Sequence, residues 1–96
     1  MKFSNIVRWK AKEGEFESLM AIFASNNEYD GMIQSFVVKT GNNTGCSVAI
    51  WESEEHIAKA RPKMISFLDS IRDKLDVLSD ELGVTDPVSG PIVLEM

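Results

Sequence analysis

The chain is expected to adopt an α+β fold of the ferredoxin-like βαββαβ type: a four-stranded antiparallel sheet with two helices on one face. Three observations lead there. Apolar residues alternate along residues 3–11, 32–40 and 46–51, the two-residue period of a strand. They recur at three- and four-residue spacing over residues 16–23 and 54–82, the period of a helix. Turn residues separate these segments, so the elements follow the split βαβ order.

The first strand, Phe3–Ala11, places Phe3, Val7, Trp9 and Ala11 on one face with Asn5 among them, and Ser4, Ile6, Arg8 and Lys10 on the other. Lys12-Glu13-Gly14-Glu15 breaks the alternation and sets acids at the positive end of a helix. Phe16, Leu19, Met20 and Phe23 form that helix's apolar stripe, which fades through Ala24-Ser25-Asn26-Asn27. Tyr29-Asp30-Gly31 is a turn in which Gly31 is free to take positive φ. Met32–Thr40 is the second strand. Gly41-Asn42-Asn43-Thr44-Gly45 has hairpin composition and joins it to the third, Cys46–Trp51. Cys46, Val48 and Ile50 share one face of that strand; Ser47, Ala49 and Trp51 share the other.

Ser53 is placed to cap the second helix, and Glu54 and Glu55 suit its first turn. Pro62 removes a helical hydrogen bond and crowds the preceding turn, which predicts two pieces, 54–60 and 62–82. Met64, Leu68, Ile71, Leu75, Leu78 and Leu82 mark the longer piece, and Gly83 is its stop signal. Residues 86–91 read as a Pro- and Gly-rich loop and Ile92–Met96 as the last strand. Right-handed crossovers put both helices on one face of the sheet. The other face is left without cover, although neither face is wholly polar: Ile6, Ile33, Val37, Trp51 and Val93 alternate with more strongly apolar sets. Apolar area in water forgoes about 25 cal/mol per Å². A second copy is the simplest cover, so a homodimer is expected, its two sheets facing each other around a cavity as a dimeric α+β barrel.

Composition bounds what such a fold does. The 96 residues make one domain, 1–96, with 44% hydrophobic and 26% charged residues. A formal charge of −5, with ten scattered basic residues, argues against nucleic acid or an anionic membrane as partner. No apolar run approaches the roughly 18 residues of a membrane span. Met1–Asn5 lacks the apolar core of a signal peptide, so a cytoplasmic location is expected. Cys46 is alone and His56 is the only histidine, which leaves no internal disulfide and no thiolate or imidazole metal cluster. No motif for a cofactor stands out.

At the junction of the third strand and second helix, Trp51-Glu-Ser-Glu-Glu55 resembles the tryptophan, x, serine or threonine, x, acid pattern of the antibiotic biosynthesis monooxygenase-like (ABM) domains. These belong to the dimeric α+β barrel superfamily. The turn Tyr29-Asp-Gly31 and the Pro-interrupted second helix support the likeness, which spans nearly the whole chain in element order and length. The resemblance implies a small homodimeric pocket protein. Such proteins include cofactor-free oxygenases acting on quinol-like aromatics, so it could be a cofactor-independent monooxygenase of a small, apolar or aromatic molecule. A non-catalytic dimeric ligand-binding or interaction module is the alternative. The haem-degrading branch of the superfamily is a third: Glu28-Tyr-Asp-Gly-Met32 resembles its turn and Trp51 its tryptophan. That branch carries a histidine well into the helix, where this chain has Ala60 and Arg61; His56 follows Trp51 by only five residues.

Candidate site residues follow. Trp51 could stack on an aromatic ligand. His56 has the pKa range of a general base. Asn5 and Gln34 are polar groups on otherwise apolar strand faces, able to hydrogen-bond a substrate carbonyl or enolate. Arg8 and Arg61 could hold a carboxylate. Cys46, between apolar neighbours on its face, reads as a small buried hydrophobe.

Overall fold

The structure, a computed structural model, describes residues 1–26 and 28–96. It is α+β and ferredoxin-like. Strand β1 (Phe3–Ala11) leads to helix α1 (Phe16–Ser25), then to the hairpin of β2 (Met32–Lys39) and β3 (Thr44–Trp51). Helix α2 (Glu54–Ile71) follows, then a short 3-10 turn (Arg72–Lys74), β4 (Leu75–Asp76) and β5 (Thr85–Pro91). All strand pairs are antiparallel, in the order β2-β3-β1-β4, with β5 on the same side of β1 as β4.

The covered face of the sheet is the one carrying Trp9, Ala11, Ala49 and Trp51, which are buried against α1 and α2. Two apolar clusters result. One gathers Trp9, Phe16, Leu19, Ile71 and Leu75, with Phe23 and Phe67 packed beside it. Its rings interlock: Trp9 lies 5.6 Å from Phe16 and 5.5 Å from Phe23 between centroids. The other gathers Trp51, Ile57 and Ala60, with Tyr29, Met32 and Met64 beside it. Gly45, the register partner of Trp9, makes the first cluster possible, because any side chain there would overlap the indole.

Helix ends follow ordinary capping chemistry. Ser53 is extended and its Oγ accepts the His56 backbone N–H at 3.3 Å, with Glu54 and Glu55 in the first turn. Helix α1 ends at Ser25; Asn27, the last residue of its expected fade, lies outside the described residues.

The C-terminal quarter departs from expectation in three ways. Helix α2 runs unbroken through Pro62, because Pro62 and Ala58, whose carbonyl loses a partner, are both exposed and water can replace the bond. It stops at Ile71 rather than continuing to Leu82. A helix from 54 to 82 would be about 43 Å long, longer than the 38 Å extent of the molecule. Leu75 instead enters the sheet opposite Ala11. Gly83 does take positive φ (+73°), but it closes a turn in which its N–H donates to the Ser79 carbonyl. The last strand is Thr85–Pro91, not Ile92–Met96. Together β4 and β5 fill one edge position beside β1, interrupted by an excursion over residues 77–84. Pro87 and Pro91 are tolerated there because an edge strand has amide positions that pair with nothing. No helix among the described residues is long and apolar enough to cross a membrane.

Candidate functional site

Between the covered face and the two helices lies a cavity of about 540 Å³, within the usual range for small-molecule sites. It lies inside one chain; the cavity expected between two facing sheets would need a second copy of the chain. The strand register builds its floor. One row across the sheet is Ser35, Ala49, Asn5 and Ser89; the next is Val37, Ser47, Val7 and Pro87. All eight side chains belong to the lining. Helix α2 supplies Ile57, Arg61, Met64, Leu68 and Ile71 to the opposite wall. A depression sharing Asn26, Tyr29 and Phe67 with the cavity lies between the end of α1 and the middle of α2.

An indole bounds each end of this floor, and each is tied to the neighbouring strand. The Trp51 Nε1–H donates to Asn5 Oδ1 at 2.7 Å, and the Trp9 Nε1–H donates to Ser47 Oγ at 2.9 Å. An indole N–H can only donate, so the Asn5 amide must turn its oxygen to Trp51. Its NH2 group makes no hydrogen bond to protein among the described residues, and Asn5 belongs to the lining. Trp51 is fully buried and lies behind the cavity wall rather than on its surface.

The two short stretches that carried the family resemblance form one unit at this end. Met32 N–H donates to the Tyr29 carbonyl across a turn whose third residue, Gly31, has φ +80°. The Gly31 carbonyl accepts the Glu52 N–H at 2.8 Å, just beyond Trp51. The Tyr29 ring sits 6.0 Å from that of Trp51. The His56 imidazole rests on Gly31, where any side chain would overlap it. Its Nδ1 lies 2.7 Å from Ser53 Oγ and its Nε2 3.6 Å from Glu52 Oε2.

Of the expected site residues, Asn5 and Arg61 reach the cavity. His56 is close in sequence to the site but does not line it. Gln34 pairs with Ile50 after a bulge and lies exposed on the uncovered face. Arg8 is on that face too, where its Nε and Nη2 donate to Asp86 Oδ2; this hydrogen bond raises the guanidinium pKa above its ordinary value. Ser35 and Ser89 were not singled out from the sequence. Ser89 sits in a stretch that reads as a loop, and Ser35 gains meaning only from its register with Asn5. The lining holds no carboxylate, imidazole or thiol among the described residues. Nor do three metal-ligating side chains gather anywhere among them.

These features define a ferredoxin-like α+β domain with a cavity between sheet and helices, and its structural neighbours include antibiotic biosynthesis monooxygenase (ABM) domain proteins. No protein-family model matches the sequence, and no curated protein matches it significantly. Among solved structures, a Nitrosomonas europaea protein described as a candidate antibiotic biosynthesis monooxygenase superposes with TM-score 0.78 at 11% identity, covering 96% of this chain and 90% of its own. A Chloroflexus aurantiacus protein of the same description gives 0.73 at 18% identity, covering 100% and 97%. SnoaB, a cofactor-independent oxygenase from Streptomyces nogalater, gives 0.69 at 14% identity, covering 99% and 96%. At these identities the likeness is one of fold.

Proposed function

We propose that the protein is a homodimeric, cofactor-independent monooxygenase of a small aromatic molecule bound in this cavity. The observation that carries the reading is the Asn5 amide in the lining, its oxygen held by Trp51 and its NH2 group without a protein partner among the described residues. A donor held in place by the fold stabilises negative charge developing on a substrate oxygen without reorganising first. A ring methylene conjugated through the arene to a ketone, as in an anthrone, could lose a proton to water at the cavity mouth, its charge delocalised onto the oxygen that Asn5 holds. The carbanion passes one electron to O2, and the radical pair joins through a new C–O bond. The resulting peroxide anion takes up the proton lost earlier, and the hydroperoxide then eliminates water. One CH2 and one O2 thus give one C=O and one H2O, the substrate itself supplying the electrons. Under this reading Asn5 polarises, Trp51 positions, and His56 braces the Gly31 turn rather than acting as base. The likeness of fold to SnoaB supports it.

The test is O2 uptake by the purified protein with a panel of anthrone- and hydroquinone-type compounds. Turnover is expected, and Asn5→Leu should lower kcat by about 10² or more, as for loss of one oxyanion donor. Binding of these compounds without any O2 uptake would instead support a non-catalytic ligand-binding module. One observation favours that second reading: Tyr29 and Arg61 are the only titratable side chains in the lining among the described residues. The residues do not fit haem ligation, because His56 faces Ser53 and Gly31.

A further inference from the structure

Resting on the reading of this cavity as a ligand site, we propose that its ligand is an aromatic carboxylate and that Arg61 selects it. Arg61 is the one formally charged side chain in the lining among the described residues. The chain carries 15 acidic against 10 basic residues, yet no acid faces this arginine from its own helix. Its neighbours one turn away are Ile57, Ala58, Met64 and Ile65. Ion pairs among the described residues engage Lys2, Arg8, Lys10, Arg72 and Lys74, and not Arg61. A planar guanidinium without a carboxylate partner, at the wall of a largely apolar cavity, offers two parallel N–H donors to a carboxylate. Its methylene stem can meanwhile lie along an apolar ring.

Position makes the argument specific. Arg61 falls between Ile57 and Met64, which pack around Trp51, so it shares the cavity end where Asn5 is held. The other end is closed by Phe23, Leu68, Ile71 and Leu75 and presents no charge. The cavity is therefore polarised along its length. A ligand with a carboxylate at one end and an apolar ring system at the other satisfies both ends at once. A neutral ligand of the same shape leaves the guanidinium without an anion.

A matched pair of probes tests this: 2-naphthoate and its neutral isostere 2-naphthamide, titrated calorimetrically at low and moderate salt. The native protein should bind the carboxylate about tenfold more tightly or better, the worth of one charge-assisted hydrogen bond. Salt should erode that preference. Arg61→Gln should abolish it, bringing naphthoate to the affinity of naphthamide, with an unchanged circular dichroism spectrum reporting that the variant is folded. Arg61→Lys keeps the charge without the fork and should retain part of it. Lys59→Gln removes the same charge two residues away, outside the cavity lining, and should change nothing. Equal affinity for the two probes, or a preference that survives Arg61→Gln, overturns the proposal and leaves the cavity reading standing. Failure of both probes to bind overturns the two together.

Discussion

In one row across the sheet, the two faces carry the opposite chemistry from the rest of the molecule. On the covered face the middle row is Ser35, Ala49, Asn5 and Ser89. One residue further along each strand, the uncovered face carries Phe36, Val48, Ile6 and Val88. Phe36 is 43% exposed and Val88 57%. A sheet packed on one side by helices ordinarily shows the reverse, apolar inward and polar outward. Ser35 and Ser89 stay exposed and Asn5 is half-buried, so this polar row is open to a ligand. Apolar groups in water forgo stabilisation unless something covers them. The inversion therefore points to two missing contacts: a ligand on the inner face and, we propose, a second copy of the chain on the outer one.

Substitutions can break or sharpen this contrast. The largest effect on stability belongs to the covered face at its apolar end. Trp9→Ala should lower the unfolding free energy by about 3–5 kcal/mol, measured by urea denaturation, because Trp9 joins Phe16, Phe23 and the cross-strand Gly45 in one packed unit. A loss near zero would mean that this end is not the core.

Next comes the outer face. Phe36→Asp should weaken association by about 2 kcal/mol or more, the scale of an interface hot spot. Light scattering should then show monomer where the native chain shows dimer, with the circular dichroism spectrum kept. A native chain that is monomeric at micromolar concentration would remove the second copy from the account.

A smaller effect concerns the inner polar row. Asn5→Leu leaves the buried Trp51 N–H without an acceptor, whereas the pair with Trp51→Phe removes both partners. A double-mutant cycle should give a coupling of about 1 kcal/mol. The smallest is Ser35→Val, expected within about 0.5 kcal/mol of native stability because Ser35 remains exposed at the cavity floor. Stability is not what that row provides.

The first half of the fold was legible because its signals are local. Alternation in β1 to β3, the positive-φ glycine at 31 and the Ser53 cap each act within a few residues. The last quarter was not, because its outcome depends on lengths and edges elsewhere. Leu75, Leu78 and Leu82 keep a helical spacing, yet the helix ends at Ile71, and Leu75 finds a place opposite Ala11. Pro87, Gly90 and Pro91 read as loop residues but lie on an edge strand. The site was legible residue by residue rather than as an arrangement. Asn5 and Trp51 stood out as types, but their hydrogen bond needs the register of β1 against β3. Gln34 and Asn5 looked alike as polar residues among apolar ones, and only the bulge after Met32 separates their faces. Arg61 was one of two arginines suited to a carboxylate; the structure puts it at the cavity and Arg8 on the uncovered face with Asp86.

The central claim is that the ligand site lies within each chain, between sheet and helices. Calorimetric titration with 2-naphthoate, alongside the dimer mass from light scattering, measures it directly. One molecule bound per chain, with affinity weakened by Asn5→Leu, is the predicted result. One molecule per two chains, unaffected by that substitution, would place the ligand between facing sheets and contradict the account.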